Sequence, residues 1–131
     1  MTDSIWEHFT IEELQCPCCG KMEMNHAFMN EVVELRKEAD FPFPVNSGYR
    51  CPQYNSTLSS TGPTGPHTTG RALDIGVSGN RAHRLVELAM RRGFTGIGIK
   101  QHGAHGKRFV HIDNLSGHDT QGKRPWIWSY T

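Results

Sequence analysis

The stretch that most narrows the possible folds is "RALDIGV", residues 71–77, where Asp74 interrupts an apolar run. Leu73, Ile75 and Val77 alternate with Ala72, Asp74 and Gly76. That is the period of a β-strand, which sends successive side chains to opposite faces. One face is aliphatic and needs a core to cover it. The other carries small residues and one acid. A carboxylate inside a covered sheet is stable only with a partner. The rest of the chain must therefore deliver cations, hydrogen-bond donors or a metal ion to that face.

The candidates are another strand and a loop. "RFVHID" (108–113) also alternates, so Phe109, His111 and Asp113 share a face. If the two strands are neighbours, His111 converges on Asp74, and His67 reaches both from "HTTG", where Gly70 permits a tight turn. Two imidazoles and a carboxylate form a set that holds Zn²⁺ with one position open. A water there becomes a hydroxide nucleophile near neutral pH, while the metal polarises a carbonyl. The plainer alternatives are a turn-stabilising role for His67 and a surface ion pair for Asp74. His26, His83 and His118 fall on or beside polar faces and read as solvated.

The remaining pattern predicts a single α+β domain over residues 1–131, with 1–24 as an N-terminal arm carrying a cysteine cluster. Thr10 and Glu13 form a capping-box pair around "TIEEL". A helix follows over 25–40, with Asn25 as N-cap and Phe28, Val32, Leu35 and Ala39 on its apolar face. "VNSGYR" reads as a short strand and turn. Residues 52–70 read as a long Ser/Thr/Gly/Pro loop with one helical turn after Pro52. A second helix spans 81–93, capped by Ser78 or Asn80, with Leu85, Val86, Ala89 and Met90 on one face and Gly93 as its stop. "TGIGIK", "RFVHID" and "PWIWSY" complete the strands; Lys100 reads as exposed.

Five pieces in order, "SGYRCPQYN" (47–55), "HTTGRALDI" (67–75), "GIGI" (96–99), "FVHID" (109–113) and "WSY" (128–130), resemble the M15 family of zinc peptidases. The resemblance is strongest to its D-alanyl-D-alanine carboxypeptidase-like branch, found in phage endolysins and bacterial wall enzymes, and runs from about residue 8 onward. It implies a small antiparallel sheet flanked by helices, as in hedgehog and D-Ala-D-Ala-peptidase domains. It further implies that His67, Asp74 and His111 bind Zn²⁺, and that Arg50 faces the cleft to hold a peptide carboxylate or oxyanion. The implied substrate is the peptide part of peptidoglycan, cut by zinc-activated water at a bond involving D-amino acids. Two positions depart from the family pattern: Gly65 stands where many relatives have serine, and Arg108 where related enzymes carry an acid three residues before the last histidine. Proton transfer then falls to Asp113 or His105, with His102 a further candidate and Asp113 alternatively an acceptor that orients His111. Arg108 also favours a catalytically inactive, zinc-containing wall-binding module as the alternative.

"CPCCG" (16–20) contains half of a zinc-knuckle pattern in Cys16 and Cys19, and Cys51 directly follows Arg50. A structural zinc could use Cys16, Cys19 and Cys51 with Cys18 or His26. Disulfides could instead tie the arm to the Arg50 loop, or the four thiols could be free. Trp126 and Trp128 read as closing a core, with stacking on a ligand as the alternative. A net charge of +1 with scattered cations argues against a nucleic-acid partner. No apolar run approaches the roughly 20 residues that span a bilayer, so no membrane insertion is expected. The expected molecule is a monomer, made in a cytoplasm without a signal peptide and acting on the cell wall, as a lysin released at lysis does.

Overall fold

Alternating side chains define five strands in the computed structural model, which describes residues 5–131: β1 (Val45–Ser47), β2 (Ala72–Ile75), β3 (Gly96–Lys100), β4 (Phe109–Asp113) and β5 (Trp126–Ser129). The first four residues of the expected arm lie outside the described residues. The strands form one sheet in the order β1-β2-β4-β3-β5. Four helices accompany it: α1 (Ile11–Leu14), α2 (His26–Ala39), α3 (Pro52–Leu58) and α4 (Gly79–Arg91). The fold is thus α+β, a small sheet flanked by helices. Among the described residues no helix is long and apolar enough to cross a membrane.

The expectation of an antiparallel sheet needs one correction. β1/β2, β2/β4 and β3/β4 are antiparallel, whereas β3 and β5 run parallel. The connection explains it. β4 ends where β3 begins, and residues 114–125 carry the chain past β3 to the sheet edge, so β5 starts from the same end as β3.

Leu73, Ile75, Ile97, Val110 and Ile112 supply the apolar face, each at most 2% exposed. They join Phe28, Met29, Val32 and Leu35 of α2 and Ala82, Leu85, Leu88 and Ala89 of α4 in one core. Burying each of the larger side chains contributes about 1.5–3 kcal/mol. Met90, expected on the apolar face of α4, is 50% exposed. At 3.6 residues per turn it stands about 100° round from Ala89, beyond the buried stripe.

Local signals place the helix starts. Asn25 accepts the Phe28 N–H at 2.8 Å, and Thr10 and Glu13 bond reciprocally as a capping box. Pro52 opens α3, a position where its missing N–H costs nothing. The segment read as a long loop is thus largely ordered: α3 is followed by short 3-10 turns over Gly62–Thr64 and Pro66–Thr69. Gly70 then adopts φ 74°. Its backbone presses against the Glu23 carbonyl, where a Cβ would collide, and its own carbonyl takes the Asn25 N–H at 2.9 Å. The loop bearing His67 is in this way fastened to the arm.

Candidate metal centre

Strand register decides what the second face presents. Ser47 pairs with Asp74, Asp74 with His111, His111 with Gly98, and Gly98 with Trp128, giving one row across all five strands. Ala72, Asp113, Gly96 and Trp126 form the next row on the same face. The glycines of "GIGI" have a specific use here. A Cβ on Gly96 would strike the Asp113 carboxylate, and one on Gly98 would lie 2.7 Å from the Trp128 ring. Only a bare backbone leaves room for both.

His67, Asp74 and His111 are 4%, 5% and 2% exposed. Their donor atoms all lie within 4.8 Å of one another, so they could hold a metal ion. Asp74 Oδ1 is 3.2 Å from His67 Nε2 and 3.0 Å from His111 Nδ1. The other ring nitrogens fix the tautomers. His67 Nδ1 donates to the Gly48 carbonyl at 2.8 Å, and His111 Nε2 donates to Asp113 Oδ2 at 2.7 Å. Both acceptors lack a proton to give, so the inward nitrogens present lone pairs. Three electron-pair donors facing one another require a cation or a shared proton, and this chemistry fits zinc. Burial pushes His111 towards its neutral form, but its bonds to Asp113 and Asp74 prevail and raise its pKa. Burial likewise works against the Asp74 anion, yet the two imidazoles hold its pKa well below the usual carboxylate range.

Arg50 sits beside the cluster with its guanidinium braced. Nε donates to Ser47 Oγ at 2.9 Å, Nη1 to Asn55 Oδ1 at 3.1 Å and Nη2 to Asp74 Oδ2 at 3.4 Å. A guanidinium has five N–H donors, so two stay uncommitted. Asn55 is 1% exposed and also donates to Thr61 Oγ1 at 2.9 Å. That hydroxyl stands where a side chain on residue 65 would project, which accounts for the glycine there.

The expected proton carriers do not face the cleft. Asp113 is fully buried, and its carboxylate accepts from Arg124 Nε at 2.9 Å and Nη2 at 2.8 Å, from the Leu115 N–H, and from His111. Burial pushes this carboxyl up, but His111 and Arg124 overcome it and leave the pKa at about 2. It therefore stays ionised at neutral pH and touches the cluster only through His111. His105 is exposed and contacts Ser78 Oγ at 3.4 Å, outside the cleft. His102 is exposed and donates to the Tyr130 carbonyl. Arg108 donates to the Gly103 carbonyl and is likewise absent from the cleft lining.

The cleft over the cluster has a volume of about 640 Å³ and includes Arg50, Lys100, Lys123, Arg124, Trp128 and Tyr130 in its walls. Lys100, read as exposed, is instead half-buried there. Trp126 and Trp128 do not close a core. Trp126 is 52% exposed, and Trp128 lies with its ring centroid 4.9 Å from that of His111 and with Arg124 over its face at 5.1 Å. Parallel pairing with β3 aims this strand at the cleft. Asn55, Arg124 and Tyr130 carried no assigned role at the sequence level; the alternation in "WIWSY" is the signal that groups Tyr130 with the tryptophans.

The cysteines divide. Cys16 and Cys51 are buried and Cys18 and Cys19 exposed, all four as thiols. Cys16, Cys19 and Cys51 bring their sulfurs within 4.8 Å of one another. Cys18 and His26 stand apart from that group, His26 lying against Trp6 at 4.9 Å between centroids.

A family model described as Peptidase M15 matches residues 7–113. It spans β1 to β4 and every donor of both clusters, while Arg124, Trp128 and Tyr130 follow it in the chain. No curated protein matches the sequence. With most of its length matched, its donors converging in a cleft and its α+β fold as the resemblance implied, the chain belongs to the peptidase M15 family of metallopeptidases.

Proposed function

We propose that the protein is a zinc-dependent peptidase that hydrolyses peptidoglycan stem-peptide or cross-link amides involving D-amino acids. The convergence of His67 Nε2, Asp74 Oδ1 and His111 Nδ1 at the floor of a cleft carries this reading. When bound there, zinc would supply a Lewis acid and a water acidified towards neutral pH. Gly48 and Asp113 would keep the imidazoles oriented as lone-pair donors. The free N–H donors of Arg50 would hold a substrate carboxylate or the carbonyl oxygen as charge builds on it. Burial, followed by the charge of Asp74, pushes the Tyr130 phenol up to about 12. It therefore keeps its proton and would donate it in a hydrogen bond to bound substrate. Lys100, Lys123 and Arg124 make the walls cationic, which favours a substrate rich in carboxylates, as stem peptides are. The cell wall is accordingly its place of action, reached by release at lysis.

One observation favours a second reading, a zinc-holding wall-binding module without catalysis. Among the described residues, the cleft walls contain no side-chain carboxylate or imidazole beyond the three cluster members, so no free side-chain base of that kind faces the bond to be cut. Incubating zinc-loaded protein with purified peptidoglycan decides between them. Catalysis releases new amines, and the fragment masses name the bond. Zinc retained at the histidine cluster with no amine released would leave only the binding module.

A further inference from the structure

The cysteine cluster is left unused by the peptidase reading, yet its backbone is shaped around one sulfur. Residues 16–21 turn back on themselves: Cys16 N–H donates to the Lys21 carbonyl and Gly20 N–H to the Cys16 carbonyl, each at 2.8 Å. Gly20 adopts φ 75° to allow it. The N–H of Cys51, arriving from the Arg50 loop, donates to Cys16 Sγ at 3.4 Å. A backbone donor on the sulfur suits a thiolate. A disulfide could join only two of the three neighbouring sulfurs and would strand the third. A soft divalent cation engages all three, and the Cys16-x-x-Cys19 spacing is that of a structural zinc half-site.

We propose that Cys16, Cys19 and Cys51 bind a second, structural zinc ion that joins the knuckle over residues 16–21 to the loop carrying Arg50. The three sulfurs leave the fourth tetrahedral position to water. The thiols release their protons to solvent on binding. The joined loop is already in contact with both neighbours: Tyr49 N–H donates to the Leu14 carbonyl at 2.9 Å, and Arg50 N–H to the His67 carbonyl at 3.2 Å. The ion therefore fixes the backbone from which Arg50 reaches Asp74.

Metal counting on the reduced, zinc-loaded chain tests this independently of any hydrolysis. Two zinc ions per chain are expected in the wild type, and one in Cys19→Ser, an exposed position, with circular dichroism checking that the variant folds. His67→Ala should also hold one. Cobalt-loaded wild type and His67→Ala should show thiolate-to-cobalt charge-transfer absorption, and Cys19→Ser should not. The proposal is overturned if the wild type holds a single ion that His67→Ala removes, or if cobalt gives no charge-transfer band. A mass deficit marking a disulfide among these cysteines in the reduced preparation would also overturn it.

Discussion

The two three-donor clusters are built by different means. His67, Asp74 and His111 sit on paired strands and the turn feeding one of them, and the sheet fixes two of the three by register. Cys16, Cys19 and Cys51 sit on an arm and a loop that come together without strand pairing. Each histidine is oriented by an acceptor behind it, Gly48 or Asp113, whereas Cys16 Sγ accepts the backbone N–H of Cys51. The difference teaches where rigidity resides. The histidine cluster is preorganised by packing, so a metal there can serve chemistry. The cysteine cluster has less holding it, so a metal there serves the fold.

Arg50 connects the two, and its removal gives the largest effect. Arg50→Ala should lower hydrolysis by about 10²–10³-fold, the usual cost of one donor to a developing oxyanion. Both zinc ions should remain bound. Arg50→Lys should recover only part, since an ammonium cannot engage Ser47, Asn55, Asp74 and substrate together. Steady-state rates with metal analysis check this, and loss of the cysteine-bound ion in Arg50→Ala would break the separation drawn between the clusters.

A smaller effect sharpens it. Asp113→Asn should weaken zinc at the histidine cluster by about 10–100-fold, because it degrades the acceptor behind His111. Chelator competition on a Cys19→Ser background isolates that site. Unchanged affinity would show that Asp113 does not act through His111.

The smallest effect reads each cluster through a tyrosine. Tyr49 and Tyr130 are both pushed up to about 12 by burial first, then by Glu23 and the cysteine sulfurs for Tyr49 and by Asp74 for Tyr130. A phenol with a raised folded pKa adds stability that is complete below its unfolded value, near 10. That stability is lost as pH rises through about 12. Ultraviolet titration should show two phenols ionising late, one of them missing in Tyr49→Phe and the other in Tyr130→Phe. Ionisation of Tyr49 at an ordinary pKa would show that its phenol is not buried beside Glu23.

Much of the fold was legible because its signals are local. The alternation in "RALDIGV" and "RFVHID" identified strands and the shared face of His111 and Asp113, and Asn25, Thr10 and Glu13 marked helix starts. Asp113 as proton carrier was the natural expectation from that face. What that face did not show is that Arg124, eleven residues on, bonds both of its carboxylate oxygens, a pairing no strand period encodes. The tryptophans show the same limit: their alternation was readable, but not which strand edge β5 would join.

The amino-acid order alone thus determined which residues share a strand face, where the helices start and which side chains are suited to metal. Local backbone geometry repeats every two or 3.6 residues and leaves its period in the chain. Tertiary structure alone decided that Asp74 stands opposite His111, that Trp128 covers it, that Arg124 occupies Asp113, and that Cys51 meets Cys16. These contacts join segments distant along the chain, where the outcome depends on packing and strand pairing across the whole sheet.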